Sequence, residues 1–293
     1  MKILVTGGAG YLGSVLCPLL VSQGHDVTAL DNFMYRQSPL LHCPGARIVR
    51  HDVRQRVSVD GYDAVIPLAA IVGAPACDRD TVSANAINFV AIQDMDLRGK
   101  MVIYPNTNSG YGRGDFCTEE TPLNPLSHYA RTKQAAEEEI LKAGGISLRL
   151  ATLFGCSPRM RLDLMVNDFV YRAVHDRAIT LFEPHYRRNF LHVRDAAHAF
   201  AHALNNFDAM CGEAYNVGDS RVNITKAQLC ERIAQHTEFT WNVAQGKTDP
   251  DRRDYVVSNA KIEASGWRPR HTLESGILEL INAYQMPVTG SNV

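Results

Sequence analysis

The chain has 293 residues, 45% hydrophobic and 21% charged, which excludes a disordered main state and favours one large domain or a large one with a smaller partner. Thirty basic against thirty-one acidic residues leave a net charge of −1, which removes the electrostatic basis for a dedicated nucleic-acid binder. No apolar run approaches the ~18 to 20 residues that span a bilayer, so no membrane span is expected. Ile3-Leu4-Val5 breaks into Thr6-Gly7-Gly8, well short of a secretory h-region. The seven cysteines are scattered and never spaced CxxC, a usage that suits a reducing compartment and predicts a cytoplasmic location. The histidines offer no HxxxH pair with a third ligand in reach, so no metal site is expected.

In chain order, short β-rich runs at 2–5, 26–30, 47–50, 64–67, 101–104 and 147–150 read as strands. Between the first two, residues 11–23 carry Leu12, Val15, Leu16, Leu19 and Leu20 at helical spacing. Strands alternating with helices imply βαβ units. The fold class is therefore α/β, a Rossmann-type doubly wound parallel sheet with a smaller C-terminal α/β substrate domain. Beyond Leu150 the rhythm is irregular. Gly155-Cys156-Ser157-Pro158 is a break, 162–175 reads as helix, 180–182 is extended, and 189–193 is a strand followed by an alanine-rich helix over 195–204. Thr225 with Gln228 makes a capping box, and Thr272 precedes a helical stretch over 273–284. Residues 1–157, rejoined by about 188–208, form the expected dinucleotide domain, and 158–293 form mainly the substrate domain. The end of the chain, 289–293, reads as a frayed tail.

Thr6-Gly-Gly-Ala-Gly-Tyr-Leu-Gly13 places Gly7, Gly10 and Gly13 in a GxxGxxG pattern directly after a strand and before a helix. Such glycines permit a tight turn and let backbone approach a pyrophosphate at the helix N-terminus, where N–H groups are unpaired. The second strand ends at Asp31, 18 residues past Gly13. A carboxylate there accepts the hydroxyls of an adenosine ribose and repels a 2′-phosphate, which predicts NAD rather than NADP. Asp52, closing the third strand, is in position to reach the adenine amino group.

Tyr129-Ala-Arg-Thr-Lys133 gives YxxxK within a helix expected over 127–142. Residues i and i+4 share a face, so phenol and ammonium address one cavity. The ammonium favours phenolate and so prepares a base for a sugar or alcohol hydroxyl.

With these motifs in hand, the sequence resembles the extended short-chain dehydrogenase/reductase family, especially its nucleotide-sugar epimerases and dehydratases. The resemblance runs nearly end to end: TGGAGYLG, Asp31, His51-Asp52-Val53, Leu68-Ala69-Ala70, Asn88, Tyr111-Gly112, YxxxK and Tyr215-Asn216-Val217-Gly218 occur in family order. It implies that Tyr11 and Leu12 of the glycine turn, Asn32 beside Asp31, and Val53 beside Asp52 contact the cofactor. The same is implied for Leu68, Ala69, Ala70 and Asn88. It implies a third catalytic hydroxyl five residues before Gly112, which is Thr107, with Ser109 as the competing choice. Tyr129 would take a proton from a sugar hydroxyl, commonly at C4, while NAD⁺ takes the hydride, and Lys133 would also hold the nicotinamide ribose.

For the substrate, the resemblance implies Arg188, in Arg-Asn-Phe-Leu-His-Val, and Arg253, in Arg-Arg-Asp, as diphosphate ligands, with Thr107, Asn108, Ser109 and Asn167 near the sugar nucleotide. The 4,6-dehydratases carry Asp-Glu after the catalytic Thr, where this chain has Asn108 and Ser109, and the 3,5-epimerising reductases carry a cysteine at the position of Ser109. Dehydration is thereby disfavoured. The usual histidine near the end of the fourth strand is Pro67 here. The fragments PNTNSGYG, PRMRLDLMVNDF and DPDRRDYVVSNAKIEASGW resemble a branch that oxidises C4 of GDP-linked heptoses. The expected function is thus a 4-epimerase or a 4-dehydrogenase giving a 4-keto sugar; a 4,6-dehydratase or 4-ketoreductase is the alternative and a non-catalytic NAD-binding module the remote one. The family usually dimerises through two central-domain helices, here about 80–97 and 127–142, so a homodimer is expected.

Overall fold

A computed structural model describes residues 1–35, 39–40, 43–244 and 253–286. Arg252 and the expected tail at 289–293 lie outside the described residues. Seven strands form the main sheet: β1 (Lys2–Thr6), β2 (Asp26–Asp31), β3 (Ala46–Arg50), β4 (Ala64–Pro67), β5 (Met101–Thr107), β7 (Ile146–Leu150) and β11 (Ala214–Val217). Their order is β11-β7-β5-β4-β1-β2-β3, with every pair parallel. The runs Ile3-Leu4-Val5 and Val65-Ile66 are buried on both faces, as a sheet covered by helices on each side requires. The chain turns outward in opposite directions from β1 and β4, so the crevice above their C-terminal ends is the switch point at which such sheets bind ligands.

Two differences from the sequence reading bear on the site. Strand β5 runs three residues beyond its expected end at 104, through Pro105 to Thr107, and stays in register with β7 as far as Thr107↔Leu150. Pro105 is tolerated because β4 pairs with β5 only at Met101 and Val102, so no neighbour on that side needs its missing N–H. The stretch expected as one helix over 80–97 is helical over 81–93, with a π turn at Ala86–Val90. Asp80 caps it, its carboxylate accepting from Ser83 N–H at 2.9 Å, and the π turn points Asn88 inward at 2% exposure.

Smaller adjustments follow from local chemistry. The first helix is Gly13–Ser22, since Tyr11 and Leu12 belong to the glycine turn, and the later ones are Met165–His175, Val193–Asn205 and Leu273–Gln285. Val193, expected at a strand end, opens its helix behind the cap His192. Strand β11 lies in a motif read from the sequence without a strand assignment, its four residues AYNV all buried at the sheet edge.

The remaining strands are β6 (Arg113–Cys117), β8 (Thr152–Phe154), β9 (Ala178–Leu181), β10 (Arg187–His192), β12 (Asn223–Thr225), β13 (Thr240–Val243) and β14 (Asp254–Val257). They form three small sheets, β12-β10-β8, β13-β9 and β14-β6. A second apolar core joins Val166, Val170, Phe190, Leu229, Ile277 and Leu280, separate from the core beneath the main sheet. Helix Val193–Asn205 packs instead on the first helix and the main core. No helix of the described residues is long and apolar enough to cross a membrane.

Candidate active site

The glycine turn leaves β1 and packs on the end of β4. Gly7 has φ +69°, and a Cβ placed on it would lie 2.6 Å from Ala69 N, so strain and space both demand glycine. A Cβ on Gly13 would stand 2.4 Å from the Gly7 carbonyl oxygen, which lets the helix start tightly under the turn. Around Gly10 only that same carbonyl comes near among the described residues, at 3.0 Å, so its outer face is open to an approaching group. The helix Gly13–Ser22 has no side-chain cap and no acidic residue in its first turn. Its leading N–H groups therefore suit an anion.

Asp31 sits beside this turn, its Oδ2 accepting from Ala9 N–H at 3.0 Å and its Oδ1 from Phe33 N–H at 2.8 Å. Two backbone donors fix the carboxylate and leave lone pairs for hydroxyls. Open backbone at Gly10, an uncapped helix start and an anchored carboxylate together fit a dinucleotide whose ribose lacks a 2′-phosphate.

The other expected cofactor residues divide into two groups. Leu68, Ala69 and Ala70 follow β4 at the rim of the crevice, partly exposed, with Ala69 N–H on Thr6 Oγ1 at 3.4 Å. Tyr11, Asp52 and Asn88 are spent largely on the protein itself. Tyr11 OH donates to the Gly155 carbonyl at 2.7 Å. Asp52 is chelated by Arg54 at 3.0 and 2.7 Å, which holds its carboxyl well below the usual range, and it accepts from Asn32 at 3.5 Å. Asn88 accepts from Ile71 N–H at 2.8 Å and donates to the Ile71 carbonyl at 2.9 Å and Thr132 Oγ1 at 3.2 Å, bracing the loop after β4 against the helix His128–Lys142. Val53 is half-buried against a core of Leu4 and Val65.

Beside the crevice, Ser127 caps the helix His128–Lys142 by accepting from Ala130 N–H at 3.2 Å, and the helix presents Tyr129 and Lys133 one turn apart. Thr107 stands beside the Tyr129 phenol and favours its phenolate form, while its Oγ1 donates to Ser109 Oγ at 2.9 Å and accepts from Ser109 N–H at 3.1 Å. The two candidates for the third hydroxyl are thus coupled, and Thr107 is the one that acts on the phenol. Asn108, between them, is fully buried, and its amide has no hydrogen-bond partner among the described residues.

Burial pushes the Tyr129 phenol up to about 12, and the charges pulling it back are led by Arg161, then Arg253. Lys133 lies 4.0 Å over the Tyr104 ring, and burial pushes its amine down to about 7. The sequence reading assigned the favourable charge on Tyr129 to Lys133, whereas guanidinium groups lead it here. Arg161 was missed as a site residue. It stands 12 residues past β7's Arg149, paired with Asp163, in the segment after the Gly155 break, and only the fold brings that segment to Tyr129.

The expected substrate residues are likewise mixed. Arg253 Nη1 donates to Ser109 Oγ, bringing a guanidinium to the coupled hydroxyls of Ser109 and Thr107. Arg188 is 1% exposed, donates from Nη1 to the carbonyls of Arg187 and Arg253, and lies over the Tyr255 ring, so it braces Arg253 from behind. Asn167 is fully buried; its Oδ1 accepts from Gly155 N–H at 3.0 Å and its Nδ2 donates to the Arg161 carbonyl at 2.9 Å. It thereby holds the Arg161 segment in place.

A parallel sheet with a glycine turn at its switch point, flanked by a tyrosine–lysine helix, is the architecture of a dinucleotide-dependent enzyme. The model of the NAD dependent epimerase/dehydratase family matches residues 3–218, and the chain belongs to that family. It is 25% identical to UDP-glucuronic acid decarboxylase 1 of Danio rerio, over 97% of this chain and 72% of that one. It is 27% identical to dTDP-glucose 4,6-dehydratase of Streptomyces niveus, over 97% of this chain and 93% of that one. Among solved structures it is similar to the UDP-glucose 4-epimerase of Thermus thermophilus in complex with NAD, with TM-score 0.82 and 25% identity over 98% of this chain and 100% of that one.

Proposed function

We propose that this enzyme oxidises C4 of a nucleotide-activated sugar with NAD⁺, giving a 4-keto sugar that is either returned as the C4 epimer or released. The observation that carries the reading is the Tyr129 phenol beside the coupled hydroxyls of Thr107 and Ser109, with Asn108 between them in sequence. Tyr129 takes the proton of the C4 hydroxyl, and Thr107 orients that oxygen by hydrogen bonding. NAD⁺ would supply the two-electron acceptor for the hydride of the same carbon. Gly7, Gly10, Gly13, Asp31 and Lys133 would hold it. Arg253 and Arg161 supply positive charge for the phenolate and for the substrate diphosphate.

The similar proteins include a decarboxylase, a dehydratase and an epimerase of nucleotide sugars, so the likeness alone leaves the ending open. Loss of water from C5 and C6 needs a base for the C5 proton and an acid for the departing oxygen. Neither an amide at 108 nor a hydroxyl at 109 serves as either at neutral pH. That favours an ending without elimination. Incubation with GDP-, UDP- and dTDP-sugars, a GDP-linked heptose among them, tests the reading by NADH absorbance and mass spectrometry. A keto sugar two mass units lighter with NADH formed supports release, and transfer of C4 deuterium into the epimer supports epimerisation. An unsaturated or dehydrated product would overturn the preference for an ending without elimination.

The same reading includes a homodimer built on the helical stretch 81–93 and the helix His128–Lys142. His128 Nε2 lies 3.2 Å from the Thr81 carbonyl between them, and Val82, at 79% exposure, stands on their outer side. Light scattering is expected to give twice the chain mass; a monomer mass at micromolar concentration would sink it. The seven cysteines are all free, which suits a reducing, cytoplasmic setting.

A further inference from the structure

Beneath the reacting groups lies a buried ion pair with no part in the scheme above. Glu137 stands one turn past Lys133, and Arg149 lies on β7, with side chains 3% and 8% exposed. Arg149 Nη2 donates to Glu137 Oε1 at 2.7 Å, and its Nε bridges both carboxylate oxygens at 3.2 and 3.1 Å. The second oxygen, Oε2, also accepts from Asn106 Nδ2 at 2.6 Å and from Ser147 Oγ. Asn106 in turn accepts the Thr107 N–H on its Oδ1 at 2.8 Å. On the far side Arg149 Nη1 donates to Tyr111 OH at 3.0 Å, and Tyr111 donates to Asn216 on β11 at 2.7 Å.

A buried pair of this kind is a weak source of stability, because desolvation offsets most of the attraction and apolar replacements are often tolerated. What it fixes here is local. With Oε2 accepting from Nδ2, the Asn106 amide has one orientation, and its oxygen is left to hold the backbone at Thr107. We propose that Glu137 is a positioning residue for the oxidation: through Asn106 it sets Thr107 at the end of β5, and its carboxylate is the counter-charge for Lys133 one turn away. The inference rests on the reading of Tyr129, Thr107 and Lys133 as the reacting groups.

Lys133 is faced by the Tyr104 ring from β5, by the Cys77 thiol from the helix Ala74–Arg79, and by Tyr129 and Glu137 on its own helix. Burial disfavours its ammonium, and Glu137 leads the groups that restore it, ahead of Cys77. The Cys77 thiol is pushed up to about 11 by its own burial and is neutral near pH 7, as are both phenols. Of these neighbours, Glu137 alone carries negative charge there.

The test is Glu137→Gln, which keeps shape and removes charge, in protein labelled with ¹³C at lysine Cε and with the Lys133 resonance assigned by Lys133→Arg. The Lys133 titration midpoint is expected to fall by about one pH unit or more, a tenfold loss of ammonium at a given pH. Glu137→Asp is expected to restore it. A folded Glu137→Gln variant that titrates like the parent overturns the proposal, since a merely structural role would move the melting temperature and leave the midpoint in place. If that variant does not fold, Glu137→Gln with Arg149→Met removes both charges together and leaves neither charge buried alone. A smaller downward shift is then expected, since the repulsion from the arginine goes with the attraction from the nearer carboxylate, and an unchanged midpoint again overturns the proposal. On a sugar that is turned over, kcat of Glu137→Gln is expected to fall about 10- to 100-fold with KM within about threefold. If no sugar is oxidised by the parent, the functional reading fails while the Lys133 titration still decides this one.

Discussion

Replacing Tyr129 by phenylalanine is expected to lower C4 oxidation by about a thousandfold, within the range that positioned acid–base groups supply, while NAD affinity changes less than about twofold. The ring stays, and the group lost is the phenol hydroxyl beside Thr107. The pH profile of the parent should report the same group. With the phenol pushed up to about 12 in the protein alone, it is protonated at neutral pH, and the fraction able to accept a proton grows as pH rises. Oxidation should therefore speed up toward alkaline pH, and reduction of a 4-keto sugar, which needs the phenol proton, should slow down. The Lys133 amine, pushed down to about 7, loses its charge over the same range and should make the rise shallower than tenfold per unit. Initial rates in both directions check the signs. A Tyr129→Phe enzyme of near-parent rate, or a flat profile for the parent, would remove Tyr129 from the role of base.

Asp31→Asn is expected to weaken NAD binding about 10- to 100-fold and to narrow the preference over NADP. Hydrogen bonds to a charged partner contribute about 1.5 to 3 kcal/mol, and much of that goes with the charge. Asparagine retains one accepting oxygen for the backbone N–H groups of Ala9 and Phe33, and its NH₂ accepts from neither. One of those donors is left short of a partner, so the turn loosens as well. Isothermal titration with each cofactor separates the contributions: loss of the charge acts on the NAD-to-NADP ratio, and loosening of the turn weakens both alike. An unchanged ratio would show that Asp31 does not face the ribose.

Residues 1–67 carry their outcome in local pattern. Ile3-Leu4-Val5, Val65-Ile66 and the glycine turn between strand and helix specify a buried parallel sheet with an anion-binding crevice, because periodicity and glycine chemistry act over a few neighbouring residues. Tyr129 and Lys133 are equally legible, since one helical turn places them together wherever the helix packs. The strand through Pro105 was not, because a proline is tolerated only where no neighbouring strand needs its N–H, and β4 pairs with β5 only at Met101 and Val102.

The charges around the phenol were the least legible. Arg161 and Arg253 are 92 positions apart, and Asn167, Arg188 and Gly155 hold them in place from three different segments. Glu137 was hidden for a related reason. A helix with Glu four residues after Lys reads as an ordinary exposed pair, and only burial against Asn106, Ser147 and Arg149 gives that carboxylate its partners. By itself the sequence determined the sheet, the dinucleotide turn and the Tyr–Lys pair, which rest on short-range geometry. The tertiary structure decided which arginines face Tyr129, that Thr107 lies beside the phenol, and which expected ligands also bond the protein itself, since those follow from desolvation and charge between segments that meet only when the chain is folded.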